Sequence, residues 1–188
     1  IRFSNGTGWA TRMTAQRILK LDPRTKEISE FSVPRGSSPF GLTIGPDNTV
    51  WYSGEVGNAI VKVDPTGKLA PYEVPTAKSQ LEQLAADAEG NLWAAGSESG
   101  KLVKLDSRAG TFTEHRPPTE DSGPFALDVD AKRNLVWFSE ILSDKIGRYD
   151  PKSNTFVEFP QPSADSDVRR IEIDRNRPNR VWWAGANS

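Results

Sequence analysis

The sequence predicts an all-β fold: a β-propeller of four-stranded antiparallel blades, with about four repeats present as a segment of a larger, six- or seven-bladed ring. Two series of repeated residues carry that prediction. Arg17-Ile18-Leu19-Lys20-Leu21-Asp22-Pro23 recurs as Ala59-Ile60-Val61-Lys62-Val63-Asp64-Pro65, as Lys101-Leu102-Val103-Lys104-Leu105-Asp106-Ser107 and as Lys145-Ile146-Gly147-Arg148-Tyr149-Asp150-Pro151, with aspartates 42, 42 and 44 residues apart. In step with it run Val50-Trp51-Tyr52, Leu92-Trp93-Ala94, Val136-Trp137-Phe138 and Val181-Trp182-Trp183, with tryptophans 42, 44 and 45 apart. A period of roughly 40 to 45 residues made of short strand-like runs marks propeller blades.

Each repeat divides into four runs separated by turn residues. The Ile-x-Lys-Leu-Asp run ends in Asp-Pro or Asp-Ser, where proline presets φ and aspartate caps its own turn. The second run alternates apolar and polar residues as a half-buried strand does: Ile28-Ser29-Glu30-Phe31, Leu69-Ala70-Pro71-Tyr72, Phe112-Thr113-Glu114-His115 and Phe156-Val157-Glu158-Phe159. The third is Gly41-Leu42-Thr43-Ile44, Gln83-Leu84-Ala85-Ala86, Ala126-Leu127-Asp128-Val129 and Arg170-Ile171-Glu172-Ile173. A turn built on Asp47-Asn48, Asp87 to Asn91, Asp130 to Asn134 or Asp174 to Asn179 leads into the tryptophan run, whose indoles suit the space between blades. Cut at the first run, the chain is one array with repeats at about 17–58, 59–100, 101–144 and 145–188. Residues 1–16 read as the remnant of a preceding blade, with Gly6 to Gln16 as a connecting loop. That frame begins and ends within a blade, so a larger ring, or another chain completing it, is expected.

Bulk composition narrows the function. Net charge is −1, from 24 basic and 25 acidic residues, so no global field favours nucleic acid. There is no cysteine, which removes disulfides, thiolate metal sites and cysteine nucleophiles. No apolar run nears the roughly 18 to 20 residues that a membrane span needs, and Ile1 opens no signal-peptide pattern; a soluble chain without membrane insertion is expected. No Gly-x-Ser-x-Gly elbow, phosphate-cradling glycine loop or histidine-rich metal spacing occurs.

Internal repetition separates framework from site, because a residue present in every copy serves something every blade needs. Lys20, Lys62, Lys104 and Arg148 share a slot and are expected to lay their stems over a blade face with the charge in water. His115, the only histidine, falls where the other copies have Phe31, Tyr72 and Phe159, which makes it a packing aromatic rather than a base. The slot just ahead of the third run is different: it holds Phe40, Glu82, Phe125 and Arg169. Behind Arg169 stands Arg170, and in the third run the slot of Thr43 and Ala85 becomes Asp128 and Glu172. The loops that enter innermost strands face the central funnel, so these residues predict a shallow ligand pocket with aromatic walls and an Arg169/Glu82 pair orienting a polar ligand. Phe40, Glu82, Phe125, Arg169, Arg170 and Glu140 are the candidate ligand-binding residues; no catalytic or metal-ligating residue is assigned.

Val136-Trp137-Phe138-Ser139-Glu140, followed by Lys145 to Pro151 and Phe156-Val157-Glu158-Phe159-Pro160, resembles the repeat of the streptogramin B lyase (virginiamycin B lyase) family over about residues 17–188. Ser38-Pro39-Phe40-Gly41-Leu42 and Gly123-Pro124-Phe125-Ala126-Leu127 resemble that repeat's Gly-Pro-His-Gly-Ile segment. The resemblance implies a propeller whose lyase members open a cyclic peptide lactone by elimination, with a histidine base and a magnesium ion near the ring centre. Here Phe40, Glu82, Phe125 and Arg169 fill the histidine slots, and none of them accepts a proton readily near neutrality. A non-catalytic module that binds a ligand or partner protein is therefore expected, with no cofactor of its own. A metal-dependent lyase or lactonase with catalytic residues and magnesium held outside this chain is the alternative, and a structural module joined through blade edges a second. The family, together with the lack of cysteine, points to secretion or a periplasmic location.

Overall fold

The computed structural model describes residues 1–177 and 180–187 and is built of strands alone. Blade 1 comprises β1 (Arg2–Ser4), β2 (Thr7–Arg12), β3 (Arg17–Leu21) and β4 (Ile28–Ser32). Blade 2 comprises β5 (Pro39–Ile44), β6 (Val50–Gly54), β7 (Ala59–Val63) and β8 (Leu69–Glu73). Blade 3 follows with β9 (Leu81–Ala86), β10 (Leu92–Gly96), β11 (Lys101–Asp106) and β12 (Thr111–His115). Blade 4 has β13 (Pro124–Asp130), β14 (Leu135–Glu140), β15 (Lys145–Asp150) and β16 (Thr155–Pro160), and a half-blade pairs β17 (Val168–Ile173) with β18 (Val181–Gly185). Every neighbouring pair is antiparallel, and the first strands of successive sheets, β1, β5, β9, β13 and β17, lie against one another around the centre. This is the propeller that the repeats predict.

The structure corrects the reading of residues 1–16. Gly6 to Gln16 is not a connecting loop: Thr7–Arg12 is a full strand, and Trp9 stands 42 residues before Trp51 in the same slot. Arg2 pairs with Trp9 as Thr43 pairs with Trp51, so Arg2–Ser4 forms the innermost strand of blade 1. Blade 1 is therefore complete, and the described residues hold eighteen strands. The sheets also begin at the third run, so cuts at 17, 59, 101 and 145 fall inside blades. Of the Asp174 to Asn179 turn, Pro178 and Asn179 lie outside the described residues, as does Ser188.

Trp9, Trp51 and Trp93 each sit on their own blade and are covered by the next. Trp9 packs with Leu42, Tyr52 and Val61 of blade 2, Trp51 with Leu81, Leu84 and Val103 of blade 3, and Trp93 with Leu127, Val129 and Phe138 of blade 4. The cationic slot is closer to the indole than expected: Lys20, Lys62 and Lys104 hold Nζ 5.5, 5.7 and 5.4 Å from the ring centroids of Trp9, Trp51 and Trp93, and Arg148 lies 5.9 Å from that of Trp137. These are direct cross-strand neighbours, and the charge rests over the ring face. The aromatic slot completes the layer, with Phe31, Tyr72, His115 and Phe159 at 6.1, 5.7, 5.6 and 5.8 Å from their tryptophans. His115 is thus a ring in a stack, as its slot predicts. Burial, then the charge of Lys104, holds its pKa below the usual histidine value.

Candidate functional site

The variable slot sits at a bulge repeated at the start of the innermost strand. Register slips between Pro39 and Leu42, between Pro124 and Leu127 and between Val168 and Arg170 each leave an extra residue unpaired. Such a bulge bends the strand and re-aims a side chain. A hydroxyl of the second strand helps hold this geometry. Thr11 Oγ1 donates to the Phe40 carbonyl at 2.7 Å; Ser53 Oγ accepts from Gly41 N–H at 2.8 Å and donates to the Glu82 carbonyl; Ser139 Oγ accepts from Ala126 N–H at 2.9 Å. At Gly41 the neighbouring inner strand comes so close that a Cβ would lie 2.6 Å from the Glu82 carbonyl oxygen, so only glycine fits.

Phe40 and Phe125 meet edge to face, with ring centroids 5.7 Å apart and planes at 82°. The Arg169 guanidinium lies 5.0 Å from the Phe125 centroid, and its Nε donates to Asp167 at 2.7 Å. Three of the four slot residues thus form one aromatic-cationic group at the end of the channel where the inner strands begin. The expected Arg169/Glu82 ion pair is absent among the described residues. Glu82 is 1% exposed; its Oε1 accepts from Gln80 Nε2 at 3.2 Å and Ser97 Oγ at 2.9 Å, while Oε2 has no partner. Burial raises its pKa above the ordinary carboxylate value, only partly offset by the bonds from Ser97 and Gln80. The rings also touch each other instead of standing as opposed walls of a pocket.

Glu140 ends β14 opposite Pro124, the residue before Phe125. Where it stands, blades 2, 3 and 5 have Gly54, Gly96 and Gly185. It is 1% exposed, and neither carboxyl oxygen has a hydrogen-bond partner. Burial pushes its pKa up to about 7; Ser122, whose hydroxyl lies near but outside hydrogen-bonding geometry, and Lys145 offset this only in part. Arg170 is exposed and pairs with Glu172 two residues along β17, apart from the Phe40–Phe125–Arg169 group.

Reading slot by slot missed Thr11, Ser53 and Ser139, which fix the backbone of the mouth. They follow the 42-residue spacing, with Ala95 in the same place in blade 3, and that period was the signal available. No three acidic or imidazole side chains gather among the described residues.

The fold defines a β-propeller, and comparison with known proteins places it in a family. The family model of the virginiamycin B lyase family matches residues 2–188, and the chain belongs to that family. A curated virginiamycin B lyase from Nocardia farcinica is 31% identical over 131 residues, covering 68% of this chain and 44% of its own length. The virginiamycin B lyase of Staphylococcus aureus superposes with a TM-score of 0.86 at 27% identity over 97% of this chain and 60% of that one, and has also been determined as a catalytically inactive histidine-to-alanine variant with quinupristin. A streptogramin B lyase structure gives a TM-score of 0.88 at 25% identity, over 100% of this chain and 62% of that one. The chain thus spans less than two thirds of the length of these relatives.

Proposed function

We propose that this chain is a non-catalytic binding module of the lyase-like propeller class, which recognises a ligand or partner protein at the mouth formed by Phe40, Glu82, Phe125 and Arg169, with Glu140 behind them. The observation that carries this reading is the replacement of four equivalent slots by two aromatics, an acid and a base that converge on one end of the channel. An edge-to-face ring pair offers an apolar platform, the guanidinium a fixed cluster of donors, and Glu82 a buried carboxyl whose Oε2 has no partner. The sole histidine is tied into an aromatic stack on an outer strand, its Nδ1 2.8 Å from the Tyr149 hydroxyl, so it does not serve this mouth as a base.

One observation favours a different lyase reading, in which the chain itself, and not residues outside it, supplies the base. Glu140, buried, unpartnered and with a pKa of about 7, has the proton affinity of a general base at neutral pH. Quinupristin, present with the S. aureus enzyme, discriminates between the readings. The full chain is titrated with quinupristin by calorimetry, and the mixture is run on reversed-phase chromatography to detect an opened isomer. Binding without ring opening, lost in Arg169→Ala while the circular dichroism spectrum is unchanged, supports the binding reading. Ring opening abolished by Glu140→Gln supports the alternative. Binding that Arg169→Ala leaves intact removes this mouth from recognition.

A further inference from the structure

The channel has a second mouth, where the innermost strands end, and a cleft of about 350 Å³ opens there between Arg2 of β1 and the ends of β5, β9, β13 and β17. Its floor is apolar and small-sided, with Leu84, Ala85, Ala86 and Val129, and Ala131 stands at the exposed edge. Its rim is charged, and the two signs are in different states.

The acids are satisfied from within. Asp87 accepts from the N–H groups of Glu89 and Asn91, from Asn91 Nδ2 at 2.8 Å and from Trp93 Nε1 at 3.2 Å. Asp130 accepts from the N–H groups of Lys132 and Arg133 and pairs with Arg133 Nε at 3.5 Å. Asp174 accepts from the N–H groups of Asn176 and Arg177, both at 3.0 Å. Asp128, the acid nearest the floor, takes one N–H on each oxygen, from Val129 and from Ile173 of the next blade, both at 2.9 Å. Burial raises its pKa above the usual carboxylate value, against the bonds from Ile173 and Val129 and the charges of Arg175 and Arg2. The cations are in the opposite condition. Arg2, Lys132 and Arg175 line the same cleft and make no ion pair or hydrogen bond through their side chains among the described residues. The acids' oxygens are taken up by backbone N–H groups of their own turns, while the side-chain donors of Arg2, Lys132 and Arg175 face the cleft without a hydrogen-bonded acceptor.

We propose that this second mouth is a binding site for a small organic anion, an apolar body seated on the alanine-rich floor with a carboxylate or phosphate monoester held by Arg2, Arg175 and Lys132. Guanidinium groups are suited to such heads, because two parallel N–H donors match two oxygens. Selectivity comes from the combination, since the floor has no use for an inorganic ion and the rim has none for a neutral aromatic. The site is independent of the Phe40–Phe125 mouth at the opposite end of the channel.

The test uses ¹⁵N-labelled full chain and three matched probes: 2-naphthoate, 2-naphthyl phosphate and the uncharged 2-naphthamide. Both anions are expected to shift the amide signals of Ala85, Ala86, Ala131 and Arg175, with Kd of about 1 mM or below, and the amide to leave them in place. Whichever anion binds more tightly identifies the head group that the rim prefers. Arg2→Ala and Arg175→Ala are each expected to weaken binding about three- to tenfold, and Arg169→Ala to change nothing here. Arg175 is exposed and Arg2 only half-buried, so both variants should fold; Ala131→Asp, also at an exposed position, supplies a second route by placing a like charge in the cleft. Equal shifts with 2-naphthamide, shifts confined to the Phe40 and Phe125 region, or no shift at about 10 mM of either anion overturns the proposal.

Discussion

The tryptophan layer between blades and the mouth of the channel are built from the same repeat, yet they differ in kind. In the layer, one arrangement recurs four times: an indole, a cation over its face, an aromatic beside it and the next blade as cover. At the mouth, equivalent backbone positions carry Phe40, Glu82, Phe125 and Arg169, and each finds different partners. Recurrence follows from a demand that every blade makes, the need to bury its face against a neighbour. Variation appears where no blade makes a demand of its own. The half-blade shows how much of the layer is context: Trp93 is 0% exposed beneath blade 4, whereas Trp182, in the same slot, is 58% exposed.

The sharpest way to break this comparison is to truncate the layer. Trp93→Ala is expected to cost about 3 to 5 kcal/mol in urea unfolding, and Trp182→Ala, with most of its ring already in water, less than about 1 kcal/mol. Similar losses at the two positions would mean that the slot, not the covering blade, sets the contribution.

Glu140 provides the next largest effect. Its pKa rises from 4.5 to about 7 on folding, so the folded state holds the proton more tightly than the unfolded chain does. Its contribution is therefore full below about pH 4.5 and is lost as pH rises through 7, by up to about 3 kcal/mol. Glu140→Gln should flatten the stability profile over that window and be the more stable protein at pH 8. His115 has the opposite sign: its lowered pKa means that stability is present above about pH 6.5 and lost on acidification. His115→Phe should remove that acid-side loss.

Smaller changes sharpen the boundary between scaffold and mouth. Gly41→Ala forces a methyl group against the Glu82 carbonyl and should cost about 1 to 3 kcal/mol, because backbone must move to admit it. Lys104→Ala removes the cation over Trp93 and should cost about 0.5 to 1 kcal/mol by the same unfolding measurement.

Most of the architecture was legible because strand alternation and the 42-residue period report on burial that every blade repeats. Blade 1 was harder to see: β1 has three residues, too few for alternation, and in β2 Trp9 stands between the small Gly8 and Ala10, with polar Thr7, Thr11 and Arg12 around them. Candidate site residues were legible as departures from the period, but their pairing was not. Arg169 has Asp167 two residues away on its own chain segment, a local partner that outcompetes Glu82 across the channel, and Glu82 is drawn instead to Gln80 and Ser97. Nor does a slot reveal that two phenylalanines from separate blades will touch.

The central claim is that repeated residues hold the propeller together while the mouth residues are free of that duty. Urea unfolding of the double variant Glu82→Gln/Arg169→Ala, alongside Trp93→Ala, tests it most directly. The account predicts stability within about 0.5 to 1 kcal/mol of the parent for the double variant, since it removes an exposed cation and a buried carboxyl replaced by its neutral isostere. A loss approaching that of Trp93→Ala would contradict it and make the mouth part of the framework.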